Sequence, residues 1–366
     1  MADKKRILVA PVDWGLGHAT RCIPIIKEII SQGHEVLIAA DGRAYDLLKN
    51  EFATLPIIRL KGYHPVYPEN DAMVFKMLLQ VPKFLFAILR EHFRLKTLIR
   101  DYFIDTVISD NRYGLWSREK TSVFITHQLF IKMPAYLLWL EPLVNRLNHF
   151  FIKRFHQCWI PDVAGEKNLS GELSHRENIP SKVEFIGILP RLHRSVPPVL
   201  KGNASLKKYD LLVLLSGPEP QRTILENEIM KQLFHLSMHT LVVRGVTEEN
   251  QSEKLNDFVE VISHLTTKKL REALEQSEAV VCRAGYSSLM ELVSLQKKAL
   301  IIPTPGQTEQ EYLAARCRQK KYFVVQEQGN INLPEAVTRW RSEKFDSISF
   351  DEEAYKIALA GLIGKI

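Results

Sequence analysis

The chain has 366 residues, 46% of them hydrophobic and 25% charged, which is too apolar for a disordered protein and long enough for two globular domains. A net charge of +7 favours anionic partners, and nucleic acid, an acidic membrane and phosphorylated substrates all satisfy it. The four cysteines, Cys22, Cys158, Cys282 and Cys317, lie scattered without the paired spacing of a zinc or redox centre, as expected of reduced thiols in the cytoplasm.

After Lys4, Lys5 and Arg6, a short apolar strand runs only as far as Asp13, too short for a signal peptide. Apolar runs at 6–12, 35–40, 55–60, 106–109, 122–126, 158–161 and 183–186 have the length and continuity of buried parallel strands. Helical spacing falls at 19–31, stopping before Gly33, and along an apolar and basic stretch at 71–101. The most apolar stretches, 73–89 and 129–151, are broken by Lys76, Lys83, Lys132, Glu141 and Arg146, so no membrane span is expected. Pro197, Pro198 and Gly202 mark a linker. Beyond it, strands at 210–216, 240–244, 259–262, 279–282, 299–303 and 322–325 alternate with helices at 226–236, 267–276, 287–295, 309–319 and 333–340. The alternation predicts two Rossmann-like α/β domains, 1–192 and 209–345, joined by a linker at 193–208 and followed by a helical tail at 346–366.

Three loops carry chemistry. The first runs Gly15-Leu16-Gly17-His18-Ala19-Thr20-Arg21, directly after the opening strand. A glycine turn from strand to helix points backbone N–H groups outward at a helix start, where negative charge is favoured. His18 in that turn suits a general base, or simply caps the helix. The loop also suggests a dinucleotide site, with Asp41 for a ribose, although Thr20 stands where the third glycine of that fingerprint belongs.

The second loop runs Cys282-Arg283-Ala284-Gly285-Tyr286-Ser287-Ser288-Leu289-Met290-Glu291. Its backbone N–H groups and the Ser287 and Ser288 hydroxyls suit a diphosphate at the start of the helix opening at Tyr286. Glu291 accepts only, which suits a ribose diol. The third loop, from Pro303 to Glu311, adds Gln307, Gln310 and Glu311, and the Ser216-Gly217-Pro218 turn ends the first strand of the same domain.

Together these motifs resemble glycosyltransferase family 28 and its relatives, which include the bacterial enzyme adding N-acetylglucosamine to the lipid-linked peptidoglycan precursor. Gly15, Gly17 and His18 match the family's N-terminal loop, Arg283, Ala284, Gly285 and Glu291 its donor element, and Pro303 and Gln310 its proline loop. The resemblance implies the GT-B fold, two Rossmann-like domains facing across a cleft. It implies a UDP-sugar donor with Ser287 and Ser288 at the diphosphate, Glu291 on the ribose, Gln310 on the sugar, and His264 and Leu265 beside the uracil. It sets Gly15, Gly17 and Arg21 on the acceptor side. The family's second donor-loop glutamine is Glu311 here, the asparagine that often follows is Ala314, and the usual glycine-rich turn reads Ser216-Gly217-Pro218-Glu219, which leaves the sugar open.

Asp110, in Ser109-Asp110-Asn111-Arg112, suits a carboxylate that orients His18, or equally a loop cap or a partner for Arg112. His127, at the end of the next strand, is the rival base. Lys76, Lys83, Arg90, Arg94, Lys96 and Arg100 alternate with Leu and Phe, as in a helix lying on an anionic membrane or a core helix with a solvated basic face. The expectation is an inverting hexosyltransferase with no cofactor and no metal in catalysis, its phosphates met by helix N-termini, hydroxyls and Arg244 or Arg283. It would work in the cytoplasm or on the inner face of the membrane, on a glycan or lipid-linked acceptor and not on nucleic acid. A UDP-sugar epimerase, an NAD-dependent oxidoreductase and a non-catalytic nucleotide-sugar sensor are the competing readings.

Overall fold

The computed structural model describes residues 4–63, 79–177, 179, 182–192, 207–217, 219–246 and 251–364. Most of the linker (193–206), the start of the long basic stretch including Lys76, and Pro218 lie outside the described residues. The described chain clusters into two compact units, one of residues 4–191 with 349–364 and one of residues 192–348.

In the first unit, strands β1 (Arg6–Pro11), β2 (Glu35–Ala40) and β3 (Ile57–Arg59) alternate with helices α1 (Leu16–Ser31) and α2 (Gly42–Glu51). Helix α3 (Val81–Tyr102) then leads to β4 (Thr106–Asp110) and β5 (Thr121–Ile125). A 3-10 turn at Ala135–Leu140, helix α4 (Glu141–Ile152), β6 (Gln157–Ile160) and β7 (Val183–Phe185) follow. All seven strands pair in parallel in the order β3-β2-β1-β4-β5-β6-β7. Both faces of such a sheet are covered, which is why β1 and β4 are buried almost end to end.

The second unit repeats the plan with β8 (Tyr209–Leu214), α5 (Gln221–Leu233), β9 (Thr240–Val243), β10 (Ser252–Lys254) and β11 (Val259–Ile262). Then come α6 (Thr267–Gln276), β12 (Ser277–Arg283), α7 (Tyr286–Ser294), β13 (Lys298–Ile302), α8 (Thr308–Gln319), β14 (Val324–Val325) and α9 (Leu333–Ser342). The strand order is β10-β11-β9-β8-β12-β13-β14, with β10 antiparallel at the edge. Sequence reasoning passed over β10 because Ser252, Glu253 and Lys254 are all exposed and polar, so no burial pattern marks them. It also gave no helix at 42–51, where α2 buries only Ala44 and Leu48.

Helix α10 (Ala354–Ile363), in the C-terminal tail, is part of the first unit. Tyr355, Leu359, Leu362 and Ile363 join a core with Ile23, Ile26 and Ile29 of α1 and Ile7 and Val9 of β1. In each sheet the strand order reverses once, between β1 and β4 and between β8 and β12, and open α/β sheets bind ligands beyond the strand ends at that point.

Candidate active site

The reversal in the first sheet assembles a buried polar cluster. Pro11 pairs with Asp110, and Asp110 with Ile125, so the ends of β1, β4 and β5 lie side by side. Gly15 caps α1 with φ 109° and ψ 162°, a region that essentially only glycine enters, and this turn sets His18 in the first turn of the helix. Arg21, three residues on, shares its face. The Asp110 carboxylate accepts from His18 Nδ1 at 2.7 Å and from Arg21 Nε and Nη2 together. Arg21 Nη1 lies 3.0 Å from His127 Nδ1, two residues beyond β5. The Cys22 thiol also reaches Asp110, at 3.7 Å.

Burial alone would push the Asp110 carboxyl up, but the Arg21 guanidinium and His18 outweigh it and hold it at about 2. For His18, burial and then Arg21 depress the imidazole, and Asp110 only partly offsets them. The cluster thus combines a fixed carboxylate with an imidazole favoured in its neutral form. Among the described residues none hydrogen-bonds His18 Nε2, and the ring is part-exposed. The alternative pairing of Asp110 with Arg112 does not occur: Arg112 pairs with Glu91 of α3 at 2.7 Å and donates to the carbonyls of Leu60 and Lys61. Tyr63 donates to the same Glu91 at 2.6 Å. This brace holds α3 to the loops after β3 and β4. Sequence reasoning missed it because its members are remote in the chain. Asp41, read for a ribose, accepts from the Gly62 N–H at 3.0 Å.

In the second unit the reversal brings together the loops after β8, β12 and β13. Gly285 caps α7 with no side-chain cap, whereas α6 is capped by Thr266 and α9 by Asn332. Its φ is an ordinary −76°, and a Cβ there would meet nothing closer than Ser288 Oγ at 3.8 Å. The fold therefore tolerates a side chain at Gly285, and what the glycine supplies is open space before the helix start. Tyr286 is buried, while Ser287, Ser288 and Glu291 are half-buried. Ser216 and Gly217 are exposed, and a Cβ on Gly217 would come within 4.0 Å of Thr304 Oγ1, so the first and third loops adjoin.

Several charged or polar groups read as donor contacts also brace these loops. Arg283 is buried, donating to the carbonyls of Pro303 at 3.1 Å and Gln221 at 2.8 Å, and burial lowers it to about 10. Gln310 Oε1 accepts from the Thr304 N–H at 2.9 Å, and Glu311 Oε1 from the Gly306 N–H at 2.8 Å. Arg244 is held by Glu226 at 2.6 Å. His264 and Leu265 follow β11, with β9 and β8 between it and β12, so they share the sheet edge but not the loop cluster. They line a separate hollow of about 590 Å³. Among the described residues no group of three or more His, Cys, Asp or Glu side chains is gathered as a metal site.

Comparison with known proteins places both halves. Residues 221–357 match the glycosyltransferase family 28 C-terminal domain, and residues 5–122 match glycosyl transferase family 1. An uncharacterised glycosyltransferase of Methanosarcina mazei is 22% identical over 375 residues, covering 96% of this chain and 94% of the relative. Among solved structures, MurG of Acinetobacter baumannii superposes with a TM-score of 0.57 at 13% identity, covering 100% of both chains. The spinosyn rhamnosyltransferase SpnG, complexed with thymidine diphosphate, gives 0.59 at 13% identity, covering 99% of this chain and 96% of its own.

Proposed function

Because the chain is a family-28-like glycosyltransferase of the GT-B fold, we propose that it transfers a hexose or N-acetylhexosamine, with N-acetylglucosamine the leading candidate, from a UDP-sugar to a hydroxyl of a cell-envelope glycan or lipid-linked acceptor, with inversion. The observation that carries the mechanism is His18 Nδ1 against the Asp110 carboxylate at 2.7 Å, on a ring that stays part-exposed. The acceptor oxygen attacks the anomeric carbon and its proton passes to His18 Nε2. The bond from that carbon to the diphosphate breaks, and its electron pair leaves with UDP.

The donor belongs, in this reading, to the loops after β8, β12 and β13. The start of α7 with Ser287 and Ser288 meets the diphosphate, and the developing charge is met by fixed dipoles in place of water. Glu291 takes the ribose. Arg283, Gln310 and Glu311 act mainly by holding the loops, with the Gln310 amide N–H left to face the sugar. No metal or cofactor enters the reaction as proposed. Thermal shift against a panel of nucleotide sugars tests the donor, since a ligand bound to the folded state raises Tm. UDP-sugars should raise it most. A larger rise with thymidine diphosphate sugars would favour the donor class suggested by the thymidine diphosphate bound to SpnG. Conversion of a UDP-sugar to its epimer without acceptor would favour an epimerase.

The acceptor side extends, in the same proposal, to an anionic membrane surface. Phe86, Leu89 and Phe93 of α3 and Leu143, Leu147 and Phe150 of α4 are exposed, beside Lys83, Arg90, Arg94, Arg146 and Lys153. Phe151 packs against Ala87 and Ile88, which seats the two helices together. Exposed aromatic and aliphatic side chains interleaved along the helices with cations suit the headgroup boundary of anionic lipid. No helix among the described residues is long and apolar enough to cross a membrane.

A further inference from the structure

Two imidazoles face one guanidinium in the first unit, and the chemistry of their partners separates them. Arginine only donates and a carboxylate only accepts. We infer that Arg21 and Asp110 hold His18 and His127 in opposite neutral tautomers, which makes His18 the sole base of the pair and Arg21 a positioning residue. His18 Nδ1 lies 2.7 Å from Asp110 Oδ1, so Nδ1 carries the proton and Nε2 the lone pair. Arg21 Nη2, 2.9 Å from the same Nδ1, is a second donor converging on Oδ1. His127 Nδ1 receives Arg21 Nη1 at 3.0 Å, so its lone pair is there and its proton on Nε2.

Protonating His127 would set an N–H against an N–H and a second cation beside a buried guanidinium. Arg21, Asp110 and His127 are all buried, so that charge would have little water to screen it. The charged and titratable groups around His18 are Arg21 on its own helix, Asp110 at the end of β4, and His127 beyond β5. Arg21 opposes the cationic form of His18 while Asp110 favours it, so removing Arg21 must raise the affinity of His18 for a proton. The catalytic consequence rests on His18 being the base proposed above. The tautomers do not, and they are read without turnover.

The test is nitrogen NMR of the full chain carrying ¹⁵N-histidine, with the two rings assigned through His18→Gln and His127→Gln. At pH 7 His18 is expected as the Nδ1–H form and His127 as the Nε2–H form. His127 found as Nδ1–H or as a cation, or His18 as Nε2–H, overturns the inference. In Arg21→Gln the His18 titration midpoint should move up by about one pH unit, in line with loss of a cation at contact distance, while Arg21→Lys keeps it near the wild-type position. An unmoved midpoint in a folded Arg21→Gln protein would reduce Arg21 to packing and refute the positioning role. Should Arg21→Gln fail to fold, the wild-type spectrum alone decides the tautomers.

Discussion

An imidazole serves as a base only while it is neutral, and the surroundings of His18 bias it that way. Its folded pKa is lowered, chiefly by burial and then by Arg21. The acid limb of kcat/KM should therefore fall below the ordinary histidine midpoint of about 6.5, with activity flat through neutral pH. A limb above pH 7 would contradict the cluster as drawn. For stability the sign runs likewise. The lowered Asp110 contributes stability present above the unfolded carboxylate value and lost as pH falls toward about 2. His18→Ala should cut turnover by about 10²–10⁴-fold while sparing donor affinity, as single-turnover kinetics alongside UDP titration would reveal. At Glu291, replacement by Ala should weaken UDP-sugar binding by about 1.5–3 kcal/mol for lost charged hydrogen bonds, measured by calorimetry, with Tm little changed.

At the scale of elements, the turn before α1 matters as much as the side chains on it. Gly15→Ala forces a Cβ onto a backbone with φ 109° and should cost about 1–3 kcal/mol. Because that turn aims His18, the rate should fall further than Tm implies; a variant with normal kcat would mean that the helix start tolerates displacement. Which elements were legible in the sequence follows from physics. Strands buried on both faces announce themselves, so the runs feeding β1, β4, β12 and β13 were readable, and with them the loops at both order reversals. Periodicity is silent on partners at long range. Arg283 matches a donor motif, yet its guanidinium lies among the carbonyls of Pro303 and Gln221. Likewise Glu91 sits in a helix that reads as apolar and basic, and only the fold shows it closing on Arg112. The pairing of Arg21 with His18 had a visible cue, a spacing of three on one helix, but its reach to His127 depends on the β4–β5 register.

At the scale of the molecule, the tail returns to the first unit, and α10 packs on the helix that carries His18. Ending the chain before Ser349 would expose α1 and remove Tyr355, Leu359 and Leu362 from the core, each worth about 1.5–3 kcal/mol. Such a truncation should lower Tm sharply and lose activity; a fully active, equally stable product would show the helix to be dispensable. In the proposed reaction the units divide the labour, with the sugar nucleotide on the loops after β8, β12 and β13 and the proton acceptor on α1. Calorimetric titration of UDP-N-acetylglucosamine into wild-type protein, His18→Ala and Glu291→Ala tests that division most directly. Matching affinities are expected for wild type and His18→Ala, with a marked loss for Glu291→Ala. Binding lost in His18→Ala but kept in Glu291→Ala would contradict that division.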